Sequence, residues 1–93
     1  MEETLYITSL YEYYKELLTE TEKAYFEDYY FENLTMEEIA DNKLVSKNAI
    51  SKTLKEVKNK LFDYEDKLKL HSNYDKIKSI LSVEEFSKVE KYI

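Results

Sequence analysis

Glycine, proline and cysteine are all absent from this chain of 93 residues. Tight hairpin turns are hard to form without glycine and proline, and helix interiors stay unbroken, so the composition favours an all-α fold. Without cysteine the chain can form neither a disulfide nor a thiolate metal site, and its one histidine is too few for a zinc site. We therefore expect no bound metal and no cofactor.

The features of a catalytic site are also missing. The sequence has no glycine-rich loop to cradle a phosphate and no evident pairing of a nucleophile with a base. Pairs of carboxylates are unavoidable with 20 Asp plus Glu in 93 residues, so they do not indicate acid–base catalysis. We predict that the protein is not an enzyme.

Long apolar segments are absent as well. No apolar run approaches the roughly 20 residues that span a bilayer, and the acidic first residues differ from the positive start of a signal peptide. We therefore expect no membrane partner, a cytoplasmic location and one helical domain over residues 1–93. A chain this small buries only about 60–65% of its unfolded surface, so oligomerisation would help its stability.

Charge is distributed unevenly along the chain, whose net charge is −6. Residues 1–42 carry 2 Lys against 12 acidic residues, whereas residues 43–60 carry 6 Lys against one Glu. Residues 61–93 are nearly balanced, with 6 Lys against 7 acidic residues. A concentrated positive segment attracts phosphate whatever the overall charge of the protein, so residues 43–60 are the candidate functional segment.

Capping residues mark the starts of the predicted helices. Three segments fit the capping box, in which a hydroxyl and a carboxylate satisfy free amides of the first turn, and Ser46 is a fourth candidate N-cap. The boxes are Thr19 to Glu22, Thr35 to Glu38 and Ser82 to Glu85. With the apolar spacing they predict five or six helices, over about 3–17, 20–31, 36–42, 47–70 and 74–92, the last with a break near Ser82.

The apolar residues of these helices identify a candidate core. The fourth helix has the most regular set, with alternating steps of four and three: Ile50, Leu54, Val57, Leu61, Tyr64 and Leu68. The candidates in the first helix are Leu5, Tyr6, Leu10, Tyr13, Tyr14 and Leu17. Most of the ten Tyr and four Phe lie beside leucine at helical spacing, which favours a core role over a stacking platform for bases. Tyr11, Phe31 and Phe62 face inward less clearly and are candidates for a dimer surface.

Residues 18–61 have the pattern of a helix-turn-helix core. Ala40 supplies a small side chain where the second helix crosses the first, and Val45 is placed to point from the turn into the core. Residues 62–93 form a C-terminal helical extension, which either makes a dimer contact or closes the monomer core. The predicted fold is thus an all-α helix-turn-helix bundle with a long recognition helix.

The outward face of the predicted recognition helix is basic. On a helical wheel with Ile50 at zero, its polar residues fall between about 60° and 200°, an arc with four Lys and no acid. The candidate nucleic-acid contacts are Lys47, Asn48, Ser51, Lys52, Lys55 and Lys58. The chain has no arginine for bidentate guanine contacts, so we expect weak, salt-sensitive binding with Asn48 as the candidate for an adenine contact. The alternative is a plain solvated surface.

A family resemblance extends over about residues 5–75. The matching residues are Leu17-Leu18-Thr19, Tyr25, Tyr29-Tyr30, Glu38-Ile39-Ala40, Val45-Ser46, Ala49 and Tyr64-Glu65-x-Lys67-Leu68. By them the chain resembles the YlxM family of small bacterial proteins, and residues 18–61 more distantly resemble region 4 of bacterial sigma factors, which reads promoter DNA. The resemblance implies a helix-turn-helix-like fold, a homodimer and an accessory or regulatory role in the signal recognition particle pathway. It makes DNA or the particle RNA the expected nucleic-acid partner.

A protein-interaction module that has lost DNA reading is a second interpretation of the same sequence. The acidic first and second helices would then dock a basic partner, such as the protein subunit of the signal recognition particle. The sequence leaves both interpretations open, because one surface is basic and another is acidic.

Overall fold

Short turns connect six α-helices within residues 2–93, the part of the chain that this computed structural model describes. The helices are α1 (Glu2–Tyr14), α2 (Glu20–Tyr30), α3 (Met36–Lys43), α4 (Lys47–Leu68), α5 (Leu70–Ile80) and α6 (Val83–Val89), with short 3-10 segments at Lys15–Leu17 and Glu90–Tyr92. No strand occurs in this part of the chain. The predicted all-α fold is confirmed.

The helix starts lie where the capping residues predicted them. In each capping box the hydroxyl accepts a hydrogen bond from the backbone amide three residues later, and the glutamate accepts one from the cap's own amide. The boxes are those of Thr19 with Glu22, Thr35 with Glu38 and Ser82 with Glu85. Ser46 caps α4 by accepting from the amide of Ala49 at 3.0 Å. These caps satisfy amides that have no partner inside the helix, and so they set the phase of α2, α3, α4 and α6.

Helix α4 is the central element and contributes to two hydrophobic clusters. The first cluster joins α4 to α1 and α2 and contains Ile7, Leu10, Tyr11, Tyr14, Leu18, Phe26, Val57 and Leu61. The second joins α4 to α3 and contains Ile39, Ala40, Ile50 and Leu54. The alternating steps of four and three keep the α4 members of both clusters on one side of the helix. The opposite side of α4 is therefore left to solvent.

The face that α1 buries differs from the predicted one. Leu5, Tyr6 and Leu17 were expected in the core but are exposed. The buried residues of α1 are instead Ile7, Leu10, Tyr11 and Tyr14, which follow the i, i+3, i+4, i+7 spacing of one helical face. Tyr6 and Tyr13 widen the apolar arc of α1 and Leu5 lies outside it, so the sequence alone does not indicate which part of that arc packs against α4.

Tyr11 belongs to the core and not to an exposed surface. Its ring stacks on that of Phe26 with centroids 4.2 Å apart, and its hydroxyl donates a hydrogen bond to Glu27. Burial, together with this hydrogen bond, raises the pKa of Tyr11 far above the ordinary tyrosine value. The prediction that Tyr11 forms part of a dimer surface is therefore wrong.

Helices α5 and α6 extend away from the two clusters. Helix α5 has no buried side chain, and α6 buries only Phe86, whose ring meets Tyr74 edge-on at 5.3 Å between centroids. The described residues span 49 × 24 × 22 Å with a radius of gyration of 15.9 Å. A compact domain of this length has a radius of about 12 Å, so the C-terminal helices leave much of their surface uncovered.

Candidate nucleic-acid interface

The turn between α3 and α4 completes a helix-turn-helix. Leu44 ends α3 in the left-handed region, with φ at 58°, and the Val45 amide donates to the Ala40 carbonyl at 3.0 Å. This is the hydrogen-bond pattern of a Schellman motif, in which glycine is the usual left-handed residue. Ala40 is buried where α4 packs on α3, as predicted, but Val45 is 38% exposed and contributes less to the core than predicted.

The buried side of α4 determines where its polar residues point. Ile50, Leu54, Val57 and Leu61 are all buried, so the arc opposite them faces outward. Of the six candidate contact residues, Lys47, Asn48, Lys52 and Lys55 are exposed, whereas Ser51 and Lys58 are half-buried. All six therefore lie on or beside the outward arc of one helix.

Two lysines of this arc have carboxylate neighbours from other helices. The Lys47 ammonium lies 3.6 Å from a carboxylate oxygen of Glu37 in α3, and Lys58 donates a hydrogen bond to Glu3 in α1. That hydrogen bond raises the pKa of Lys58 and lowers the pKa of Glu3. Lys47 and Lys58 lie at about 60° and 80° on the wheel, the part of the arc nearest the packed side. The arc has no acidic residue of α4 itself, but the fold brings Glu37 of α3 and Glu3 of α1 next to it.

Lys52 and Lys55 are the outward cations that keep their charge uncompensated. Neither has an ion-pair partner among the side chains that the structure describes, residues 3–93. Lys55 lies at about 140° and Lys52 at about 200° on the wheel, in the part of the arc farthest from the packed side. Four of the six Lys in residues 43–60 do have such partners: Lys43 with Asp28, Lys47 with Glu37, Lys58 with Glu3 and Lys60 with Glu22. Within residues 43–60, the lysines without an ion-pair partner among the described side chains are therefore Lys52 and Lys55, on two adjacent turns of α4.

The pair of Lys60 and Glu22 locks α4 to α2 on the other side of the helix. The Lys60 ammonium donates to the buried Glu22 carboxylate at 2.6 Å. Burial raises the pKa of Glu22, but the hydrogen bonds from Lys60 and from the Thr19 amide outweigh it, so the pKa is lowered overall. Lys60 is therefore engaged in the fold and is a structural residue of the basic segment.

An open cleft of about 650 Å³ lies beside the start of α4. It is lined by Thr4, Tyr29, Tyr30, Asn33, Leu34, Thr35, Met36, Glu37 and Lys47. Glu37 and Lys47 pair at this cleft, which draws the Lys47 charge toward α3 and away from the outward arc. No group of three potential metal ligands occurs among the described side chains of residues 3–93. None of the six described helices is both long and apolar enough to cross a membrane.

Comparison with known proteins agrees with this architecture. Residues 1–92 match the model of the UPF0122 family, described as "Putative helix-turn-helix protein, YlxM / p13 like". The chain is 37% identical over 90 residues to a UPF0122 protein of Mycoplasma mycoides, a match covering 97% of this chain and 80% of the relative. It is 42% identical over 71 residues to one of Fusobacterium nucleatum, covering 76% and 69%. A third relative, from Shouchella clausii, is 33% identical over 82 residues, covering 88% and 75%.

These matches extend over both the helix-turn-helix and the helices that follow it, and they confirm the resemblance found in the sequence. The chain belongs to the UPF0122 family of YlxM/p13-like helix-turn-helix proteins.

Proposed function

We propose that the protein is a nucleic-acid-binding module that acts in the cytoplasm as an accessory or regulatory factor of the signal recognition particle pathway. The observation that carries the binding is the outward position of Lys52 and Lys55 on a helix whose other side is anchored on α3. Ammonium groups without a carboxylate neighbour attract the phosphates of a polyanion even in an acidic protein. The assignment to this pathway rests on the family resemblance, with promoter-like DNA and the particle RNA as the candidate ligands.

The contact residues have different roles in this proposal. Lys52 and Lys55 contact phosphates directly, whereas Lys47 and Lys58 do so only by exchanging a carboxylate for a phosphate. Asn48, near the start of α4, is exposed and offers an amide to an adenine edge. Ser51 lies on the same arc, where its hydroxyl can donate a hydrogen bond to a phosphate oxygen of the nucleic acid.

The test is a double charge reversal with a matched control. Lys52→Glu/Lys55→Glu should abolish binding to duplex DNA and to particle RNA while the far-ultraviolet circular dichroism spectrum stays unchanged. The control, Lys76→Glu/Lys88→Glu, makes the same change in net charge at two exposed lysines of α5 and α6. It should weaken binding only slightly, because those lysines are on other helices and do not belong to the α4 arc. Equal affinity of the double variant and the wild type would refute the proposal.

Docking of a basic protein is the second candidate function. It is favoured by the exposed carboxylates of α1, α2 and the 3-10 segment between them, which include Glu12, Glu16, Glu20 and Glu27. The expected partner is the protein subunit of the signal recognition particle. Binding of that purified subunit without any nucleic acid, lost in Glu12→Lys/Glu16→Lys, would support this function. The absence of such binding would leave the basic arc as the functional surface.

We also propose that residues 62–93, a C-terminal extension beside a helix-turn-helix core of residues 18–61 in one helical domain, make a homodimer contact through the surfaces of α5 and α6. The support is the apolar surface that α5 and α6 leave uncovered, with Val83 90% exposed and Ile80 also exposed. An apolar groove of about 310 Å³ lies nearby, lined by Tyr13, Leu70, Asn73, Tyr74, Ile77, Tyr92 and Ile93. Sedimentation analysis of Ile80→Glu/Val83→Glu should show a monomer, whereas Leu5→Glu, at an exposed position of α1, should keep the wild-type state. A wild type that sediments as a monomer contradicts the dimer.

A further inference from the structure

Two exposed aromatic rings lie against each other at the far end of the basic arc. Phe62 of α4 is 36% exposed and Tyr6 of α1 is 40% exposed. Their ring centroids are 6.1 Å apart, and their planes differ by 22°, so the rings are stacked. The edge of His71 supports Tyr6 at 5.3 Å between centroids. Neither Tyr6 nor Phe62 belongs to the two buried clusters.

Phe62 continues the line of outward lysines on α4. It follows Lys55 by seven residues, which places it about 20° from Lys55 on the wheel and about 10 Å farther along the helix axis. It follows Lys58 by four residues, and the Lys58 ammonium lies 5.9 Å from the Phe62 ring centroid. One strip of surface therefore carries Lys52, Lys55 and Lys58 and then a pair of rings.

The positive strip ends at Phe62. The next exposed acidic residues of α4 are Asp63, which pairs with Lys67 at 2.9 Å, and Asp66, which pairs with Lys69 at 3.9 Å. A polyanion that follows the strip meets no further uncompensated ammonium there. At this end of the strip the exposed surface consists of the Tyr6 and Phe62 rings. Because a flat, uncharged group stacks well on aromatic rings, a nucleobase fits there better than a phosphate.

We propose that Tyr6 and Phe62 form a stacking platform for an unpaired nucleobase. The ligand is a single-stranded nucleic-acid segment whose phosphates contact Lys52 and Lys55 and whose base lies on the rings; Lys58 joins these contacts only by exchanging the Glu3 carboxylate for a phosphate. A base inside a duplex is already stacked on both faces, so only an unpaired base can reach this platform. Aromatic rings interleaved with cations along a backbone track are the arrangement that binds single strands with little sequence preference. This inference rests on the nucleic-acid binding proposed above and specifies its ligand class.

The decisive variant is Phe62→Leu, which keeps an apolar side chain and removes the ring. It is measured by fluorescence anisotropy against a 12-nucleotide single strand and the matching duplex, each at two salt concentrations. Loss of one base stack should weaken single-strand binding by about 5- to 150-fold. Duplex affinity and the salt dependence of both should stay unchanged, because no charge is altered. Comparing RNA and DNA single strands of the same sequence shows which of the two nucleic acids supplies the stacked base.

Phe31→Leu is the matched control. Phe31 is also partly exposed, but it packs on Tyr11 and Phe26, away from the α4 arc. Its substitution should leave single-strand affinity unchanged. Phe62→Trp provides an independent signal, since the chain has no other tryptophan. Its fluorescence should be quenched when a single strand is added and should not change with an oligonucleotide that is abasic at every position.

Three outcomes would overturn the platform. Wild-type affinity of Phe62→Leu for the single strand would show that the ring makes no base contact. A change in sedimentation caused by Phe62→Leu, without any change in single-strand affinity, would show that a second copy of the chain covers the rings. Failure of the wild type to bind any nucleic acid would remove the proposed function and the platform together, whereas the first two outcomes leave the lysine contacts intact.

Discussion

The hydroxyl of Tyr14 donates a hydrogen bond of 2.6 Å to the buried carboxylate of Glu65. Glu65 is in α4, and its carboxylate also accepts from the backbone amides of His71 and Ser72, at 3.1 and 3.0 Å. Those amides belong to the first turn of α5, where a carboxylate meets the positive end of the helix dipole. The Tyr14 hydroxyl in turn accepts from the amide of Leu70. One buried pair thus ties α1 to the junction of α4 and α5.

Removing the Tyr14 hydroxyl should destabilise this junction. Tyr14→Phe leaves Glu65 with one donor fewer and the Leu70 amide without its acceptor. A hydrogen bond to a charged group contributes about 1.5–3 kcal/mol, so the free energy of unfolding should fall by about that amount in urea titrations. Tyr74→Phe is the matched control, because its hydroxyl bonds the exposed Glu90 at a similar 2.6 Å. A loss in the control equal to that in Tyr14→Phe would contradict a special role for the buried pair.

The Glu65 carboxylate should make stability depend on pH in the acid range. Burial raises the pKa of Glu65, but the hydrogen bonds from Tyr14, His71 and Ser72 outweigh it and lower the pKa overall. A lowered pKa in the folded state stabilises the protein above the unfolded value of 4.5, and this contribution is lost as pH falls toward the folded pKa. Glu65→Gln should therefore be less stable than the wild type at pH 7. It should also lose less stability than the wild type between pH 5 and pH 3. Each unit of difference between the unfolded and folded pKa of Glu65 corresponds to about 1.4 kcal/mol. Parallel stability curves for the two proteins would rule this account out.

Relief of backbone strain at Leu44 should stabilise the helix-turn-helix. Leu44 is 91% exposed with φ at 58°, a region that costs a residue with a Cβ about 1–2 kcal/mol. Leu44→Gly removes this cost but makes the unfolded chain more flexible, so we expect a net gain of about 0.5–1 kcal/mol in thermal or urea unfolding. The same exchange at Leu5, exposed within α1, should instead cost about 1 kcal/mol. A loss of stability in Leu44→Gly would contradict the strained turn.

Freeing the two paired lysines should strengthen nucleic-acid binding. In Glu3→Gln/Glu37→Gln, the charges of Lys58 and Lys47 lose their carboxylate neighbours and become available to phosphates. We expect a several-fold rise in affinity at low salt and a steeper salt dependence. Glu12→Gln/Glu20→Gln makes the same change in charge at carboxylates that pair with Lys15 and Lys23 on other surfaces. A comparable rise in affinity in that control would show that the change in net charge, and not the release of Lys47 and Lys58, strengthens binding.

Local sequence signals were sufficient for the four capped helix starts and for the inward side of α4 up to Leu61. They failed beyond it, since Leu68 is exposed and α5 begins at Leu70, where the sequence predicted a helix start at about residue 74. Thr19, Thr35, Ser46 and Ser82 form the predicted caps because the cap and its partner are three residues apart and need no tertiary contact. The helical periodicity of α4 likewise belongs to one segment. The side of α1 that packs, in contrast, depends on its neighbours, because the apolar arc of that helix is wider than the face that it buries.

The charge pairing at the candidate interface could not be predicted from one segment. Glu3 reaches Lys58 across 55 positions of sequence, and Glu37 approaches Lys47 only because the turn brings α3 beside α4. The left-handed turn residues could not be predicted either, because Leu44 and Lys69 adopt a conformation that glycine usually marks in a sequence. Both features arise from tertiary packing, so they became visible only in the fold.

The salt dependence of binding tests the phosphate contacts of Lys52 and Lys55 most directly. The logarithm of the association constant for a duplex is plotted against the logarithm of salt concentration for the wild type and for Lys52→Ala/Lys55→Ala. Each lost phosphate contact reduces the slope by about 0.9, so the variant should be shallower by about 2. Identical slopes would show that these two ammonium groups touch no phosphate, and the account of the interface would fail.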